Sequence, residues 1–298
     1  MDSFEAEVTI MKRNVLLICA LFTILAGCMA SPIPNTERDQ HMDSKKETAK
    51  TFLLIGVDSR GEEDSRADAV LLARYEPKQG QIKLASIMRD SYVKIPGYEK
   101  GYHKINAAYY YGGSELMKKT ILENFNINVD HVAVIDFQGF VNIVDLIAPD
   151  GLTVDVKPEM ISDMSIAASS GENVLHGEQI LKYVRFRHDN ESDFGRVERQ
   201  QEVLVQLKDQ LIQQLSNVDG IVALPGMIEE ALTYVETDIG MKTMFVLSSQ
   251  AMFHPVDSIK TLRIPVNDSY TNEMYPHAGA VLSIDFEKNQ QALQEFFE

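Results

Sequence analysis

Three short apolar runs near the start of the body constrain this chain more than any other feature. Thr51–Val57 (TFLLIGV), Asp68–Tyr75 (DAVLLARY) and Ile82–Met88 (IKLASIM) are each seven or eight residues long. Runs of that length, rich in β-branched and large apolar residues, read as buried strands. The intervening EPKQGQ, with Pro77 and Gly80, reads as a turn pairing the second strand with the third. Up, down and up is the economical path. In it Asp58 ends the first strand, Asp68 opens the second and Arg89 follows the third, so the three side chains meet at one edge of the sheet. Such edges are where α/β folds place ligands.

Downstream, the pattern alternates in the same way. Ser114–Phe125 is helix-like, His131–Ile135 is a strand, and Asp136 is placed to cap a helix running to about Ile147. Asp150 and Gly151 mark a turn before a short alternating strand, Leu152–Val156. Lys157–Asn173 is polar and rich in small residues, which predicts a surface loop with a helical turn. Gly177–Tyr183 is expected to be helical and to pass into an extended VRFR, where Arg185 and Arg187 would share a face. From Asp193, at the capping position, a long helix places Arg196, Arg199 and Gln200 on one side. Helices are expected near 221–236, 240–251 and 287–297, with a strand at Ser258–Ile264. No repeat or second boundary interrupts this, so residues 51–298 read as one domain of α/β class.

The amino terminus reads as an export signal. Lys12 and Arg13 precede thirteen uncharged residues, Val15–Gly27, shorter than the roughly 20 that span a bilayer. The segment closes on Leu25-Ala26-Gly27-Cys28, which resembles a bacterial lipobox and implies Cys28 as a lipidated first residue. Met11 is the more conventional start for such a signal. Residues 29–50 are polar with two prolines and read as a flexible tether. The only cysteines, Cys19 and Cys28, lie in the apolar segment, so neither a disulfide framework nor a cysteine metal site is expected. A net charge of −16 opposes non-specific binding to nucleic acid or an anionic membrane. Any phosphate site must then be a local basic patch.

Asp58 and Asp68 form a pair of hard oxygen donors suited to Mg2+. Arg89, Arg185, Arg187 and Arg196 are brought toward the same edge, and clustered guanidinium groups repel one another unless an anion fills the space between them.

Six segments carry a resemblance: GVDSR (56–60), SRADAVLLARYEPKQGQIKLASIMRDSYVKIPG (65–97), HKINAAYYYGG (103–113), FQGFVNIVDLI (137–147), LHGEQILKYVRFR (175–187) and DFGRVERQ (193–200). In this order they resemble the signature blocks of LytR-CpsA-Psr proteins. The resemblance implies an α/β fold with a mixed central sheet flanked by helices and a hydrophobic pocket for a polyprenyl-pyrophosphate lipid. It also implies an extracytoplasmic enzyme that moves an anionic glycopolymer, such as a teichoic acid, from that carrier to peptidoglycan. Asp58 and Asp68 become the implied Mg2+ ligands, and Arg89, Arg185, Arg187 and Arg196 the pyrophosphate clamp, with Gln200 nearby and Asp193 beside the reacting centre. Residues 70–72 and 203–214 are candidates for lining the lipid slot. Family members commonly keep an uncleaved membrane anchor, so the lipobox leaves the mode of anchoring open.

Three other readings use the same residues or the same kinship. A lipid pyrophosphatase would use water in place of the sugar hydroxyl, and a non-catalytic envelope sensor would bind lipid without turnover. A transcriptional regulator is disfavoured by the export signal, the acidic charge and the lack of a basic recognition helix.

Overall fold

The computed structural model describes residues 49–58, 66–187, 192–214, 218–240 and 258–298, with isolated positions 243, 246, 247 and 256. In chain order the strands and helices are β1 (Lys50–Val57), β2 (Ala67–Glu76), β3 (Gln81–Ile87), β4 (Ser91–Lys94), β5 (Tyr102–Lys104), α1 (Asn106–Phe125), β6 (His131–Asp136), α2 (Phe137–Ile147), β7 (Leu152–Val156), α3 (Pro158–Met164), β8 (Gly171–Leu175) and α4 (Gly177–Arg185). Then come α5 (Ser192–Gln214), α6 (Val218–Leu232), β9 (Val235–Thr237), β10 (Ser258–Ile264), β11 (Tyr270–Tyr275), β12 (Gly279–Ile284) and α7 (Phe286–Phe297).

The main sheet has the order β10-β3-β2-β1-β6-β9 and is mixed. β1 runs antiparallel to β2 and parallel to β6, and β2 runs antiparallel to β3, so the expected up, down, up path is the one adopted. The β2–β3 connection is a 3-10 turn at Pro77–Gln79 closed by Gly80, whose φ of 57° is left-handed and costs glycine little.

Successive strand residues face opposite ways, and this divides the core in two. Leu53, Ile55, Val70, Leu72, Ala85 and Ile87 face α1 and α7, where Met117, Ile121, Phe125, Leu293 and Phe297 are buried against them. The other face looks toward α2, α4 and α5. Burying a side chain of this size contributes roughly 1.5–3 kcal/mol, so the first face binds the sheet firmly to α1 and α7.

A second sheet, β11-β12-β4-β5, lies next to the first in sequence and is joined to it at Arg89–Ser91. The chain patterns over 91–104 and 270–284 do not announce it, because its strands are three to six residues long and half exposed.

Four local expectations are corrected. α4 continues through Arg185 and Phe186 leaves it in an extended conformation (φ −62°, ψ 142°), so VRFR is a helix end and not a strand. The bend is fixed by Phe186, which is fully buried. Within 157–173, helix α3 is followed by a strand, β8, paired with β7. The helix read at 221–236 ends at Leu232, and the chain turns into β9 at the edge of the main sheet. α1 starts at Asn106, eight residues earlier than its periodicity marks, with a kink at Gly112 and Gly113 where Gly113 takes φ 57°. The signal segment, Cys28 and most of 240–251 lie outside the described residues.

Candidate functional site

The strand directions fix the site. β1 and β6 are parallel, β2 opposes them, and Asp58 N–H donates to the Arg66 carbonyl at 3.3 Å across the strand ends. Asp58, Asp68, Arg89 and Asp136 therefore lie along one sheet edge. Asp136 accepts from Gly139 N–H at 2.7 Å and so caps α2 as expected. This edge is the mouth of a cavity of about 510 Å³ between the sheet and α2, α4 and α5.

The mouth is charged. Asp58, Asp68, Arg89, Arg185, Arg187 and Arg196 all line it, with Gln200 beside them. Arg89 Nη1 donates to Asp68 Oδ1 in a short contact, and Arg187 Nη2 stands 3.8 Å from the same oxygen. Arg185 Nη2 is 3.9 Å from Asp58 Oδ2, and its guanidinium lies over the Phe137 ring at 4.0 Å. Among the described residues four guanidinium groups face three carboxylates, counting Asp136. This is a local concentration of basic groups in a chain of net charge −16, and such a concentration attracts anions.

The interior is apolar. From the sheet come Leu54, Leu71, Ile82, Leu84 and Ile259, and from α2 come Phe140, Ile143 and Ile147. Leu204 and Leu207 of α5 close the opposite side. Such a chamber has room for a ligand with an anionic head at the mouth and an apolar body inside.

Of the slot residues expected at 70–72, Leu71 alone lines the cavity, while Val70 and Leu72 point to the α1 face. Of 203–214, Leu204 and Leu207 line it, and Val203 and Leu211 are core among the helices. Sequence reasoning placed helix α2 but missed it as a wall of the cavity, although Phe140, Ile143 and Ile147 recur at i, i+3 and i+7 after a cap, the pattern of one helix face. Arg199 was placed on the face of Arg196 and Gln200 but turns inward: its Nη2 donates to the Phe186 carbonyl at 2.6 Å, 5.3 Å from that ring, so it holds the α4 end in place. Arg185 and Arg187 both reach the mouth despite the lost strand, because the buried Phe186 lies between them. Asp193 falls in the first turn of α5, which begins one residue earlier at Ser192. Its side chain lies outside the described residues.

The residues present fit a divalent cation. Asp58 Oδ1 is buried and has no hydrogen-bond partner among the described residues, a cost that a cation would remove. No group of three potential protein ligands occurs among the described residues. Mg2+ needs no such cage, since it usually takes one or two carboxylates and completes its shell with water and phosphate oxygens.

The family model for LytR_cpsA_psr matches residues 27–294. The chain belongs to the LytR-CpsA-Psr family. Within this family it is 35% identical to the regulatory protein MsrR of Staphylococcus aureus over 83% of this chain and 74% of that one. It is 30% identical to the polyisoprenyl-teichoic acid–peptidoglycan teichoic acid transferase TagT of Bacillus subtilis, over 88% of this chain and 78% of the relative. Among solved structures it is similar to TagT bound to LI-WTA, with a TM-score of 0.66 at 26% identity over 87% of this chain and 93% of that one. It is also similar to the LytR-CpsA-Psr protein YwtF (TagT) with bound octaprenyl pyrophosphate lipid, with a TM-score of 0.61 at 25% identity over 87% and 94%. The mixed sheet flanked by helices is the LytR-CpsA-Psr fold.

Proposed function

We propose that this protein is a phosphotransferase that moves an anionic, teichoic acid-like glycopolymer from a polyprenyl-pyrophosphate carrier to peptidoglycan. The observation that carries this reading is one cavity with an apolar interior and an arginine-lined mouth at a sheet edge. The pyrophosphate would lie among Arg89, Arg185, Arg187 and Arg196, with Gln200 as a further donor, while the hydrocarbon tail fills the chamber. Relatives named as teichoic acid transferases, and one holding octaprenyl pyrophosphate, support the assignment.

The chain's own residues would do four things. The arginines hold the pyrophosphate in line and neutralise charge on the leaving phosphate. The apolar walls keep water from the lipid side. Asp58 and Asp68 would hold Mg2+, which supplies Lewis-acid stabilisation of the phosphate oxygens. Asp193, at the start of α5, would orient the acceptor hydroxyl and take its proton. A new bond forms between the acceptor oxygen and the glycopolymer-proximal phosphorus, and the bond to the bridging oxygen breaks, so that polyprenyl phosphate leaves.

The reaction places the enzyme on the outer face of the membrane, held by a lipid on Cys28 or by the Val15–Gly27 segment. Among the described residues no helix is long and apolar enough to cross a membrane. Mass spectrometry of the membrane-extracted protein decides between the anchors: a diacylated Cys28 at a new amino terminus supports lipidation, and an intact Met1 or Met11 terminus overturns it.

The activity test supplies the full chain with a polyprenyl-pyrophosphate glycoside, peptidoglycan oligomers and Mg2+, with products read by mass spectrometry. A glycan-phosphate-peptidoglycan adduct is expected. Polyprenyl phosphate without an adduct would instead assign a pyrophosphatase, and binding without turnover a sensor.

A further inference from the structure

The second sheet and the neighbouring Tyr98, Tyr110 and Tyr111 carry an array of aromatic rings that the fold leaves partly exposed. Tyr92 stacks on Tyr275 with centroids 4.5 Å apart and planes 11° apart, and Tyr102 lies 5.6 Å from Tyr92. Tyr98 stacks on Tyr111 at 5.1 Å, and His103 stands edge-on to Tyr98 at 5.5 Å. Tyr102, Tyr110 and Tyr111 are 40%, 41% and 49% exposed. Large rings left in water in one contiguous group mark an interaction surface.

This surface is continuous with the mouth by two routes. Arg66, two residues before Asp68, places its guanidinium 5.7 Å from the centre of the Tyr110 ring. Arg89 approaches Asp90 at 3.9 Å, and Asp90 is paired at 2.7 Å with Lys104, in the same strand as Tyr102. Whatever lies on the rings is therefore led to the reacting edge.

From this continuity we infer that the tyrosine surface formed by β4, β5, β11 and the start of α1 binds the glycan strand of the peptidoglycan acceptor. The inference rests on the transferase reading and names where its second substrate lies. The axial C–H face of a pyranose is apolar and slightly positive, so it is attracted to the negative face of an aromatic ring. Tyrosine hydroxyls at the rim can exchange hydrogen bonds with sugar hydroxyl and acetamido groups. Two stacked pairs and further exposed rings make room for several consecutive sugars rather than one. The polyanionic donor fits less well, because Glu99 lies next to Tyr98 in sequence and Glu273 is hydrogen bonded to the Tyr275 hydroxyl.

The test measures binding of peptide-free peptidoglycan oligosaccharide to the full chain by calorimetry, and octaprenyl pyrophosphate binding separately. The double variant Tyr102→Ala/Tyr111→Ala, both surface changes, is expected to weaken oligosaccharide binding by about tenfold or more and leave octaprenyl pyrophosphate binding and the thermal midpoint unchanged. Tyr111→Trp, which keeps a ring face, should retain binding. No oligosaccharide binding by the wild type, or equal affinity in the double variant, would overturn the inference and leave the rings to another occupant such as a protein. If oligosaccharide binding depends on the rings but octaprenyl pyrophosphate does not bind, the transferase reading fails and the glycan site stands.

Discussion

The guanidinium of Arg185 lies over the ring of Phe137, 4.0 Å from its centroid, so the last residue of α4 is held by the first residue of α2. Arg185 also faces Asp58 at 3.9 Å, but both side chains are more than a third exposed, and an ion pair of that kind contributes little. The ring is the stronger restraint. Phe137→Ala should raise the KM for the lipid-linked donor by about three- to thirtyfold, with a smaller change in kcat, read by steady-state transfer kinetics. An unchanged KM would remove Arg185 from the pyrophosphate clamp.

Arg89→Ala is expected to abolish transfer while leaving the fold intact. Arg89 is the short-contact partner of Asp68 and lies at the mouth, whereas the core residues beside it in sequence, Ile87 and Met88, point elsewhere. Circular dichroism and the thermal midpoint should match wild type. Wild-type activity in this variant would sink the site assignment.

The tail chamber can be tested by filling it. Leu54 is partly buried on the cavity face of β1, so Leu54→Trp adds volume where a ligand would lie. Binding of octaprenyl pyrophosphate should weaken by roughly tenfold, while inorganic pyrophosphate, which needs only the mouth, should bind as before. Equal weakening of both would place the tail elsewhere.

Phe186 is fully buried at the bend that presents Arg185 and Arg187. Phe186→Ala should cost about 3–5 kcal/mol of stability, measured by urea unfolding. It should also lower transfer more than any other purely apolar substitution outside the cavity, because it frees both arginines and loosens the backbone carbonyl that anchors Arg199.

Acid should weaken the fold partly through His131. Burial against Phe52 lowers its pKa below the ordinary 6.5, outweighing Asp238 and Asp130, which raise it, while Lys50 lowers it further. A base with a depressed folded pKa holds its proton better when unfolded, so its contribution is full above pH 6.5 and is lost as the pH falls below that value. The urea midpoint should therefore drop between pH 7.5 and 5, and drop less in His131→Gln. His103, also lowered by burial, keeps some pH dependence in the variant.

The edge that gathers Asp58, Asp68 and Arg89 was legible because strand alternation and a turn signal act locally, and three consecutive strands leave little freedom in topology. Arg187 was found for a reason the structure replaces: no strand alternation exists there, and the buried Phe186 sets its direction. Arg199 was misplaced because helical spacing gives a face without saying what packs on it. The carbonyl of Phe186, thirteen residues away in sequence, decides that it turns inward. The second sheet was invisible because its strands are short and its two hairpins are joined only by the β12–β4 pairing, as between Tyr92 and Ser283, far apart in sequence, and no local pattern encodes such a pairing.

Strand β2 shows how such a protein can change its ligand without losing its shape. Leu71 looks into the chamber, while its neighbours Val70 and Leu72 clamp the sheet to α1 and α7. Because these duties fall on adjacent residues that face opposite sides of the sheet, drift at one need not disturb the other. Relatives that prefer carriers of different length should accordingly diverge at 69, 71, 82 and 84 and agree in size and polarity at 70, 72, 85 and 87, leaving in their sequences a two-residue rhythm of freedom and restraint.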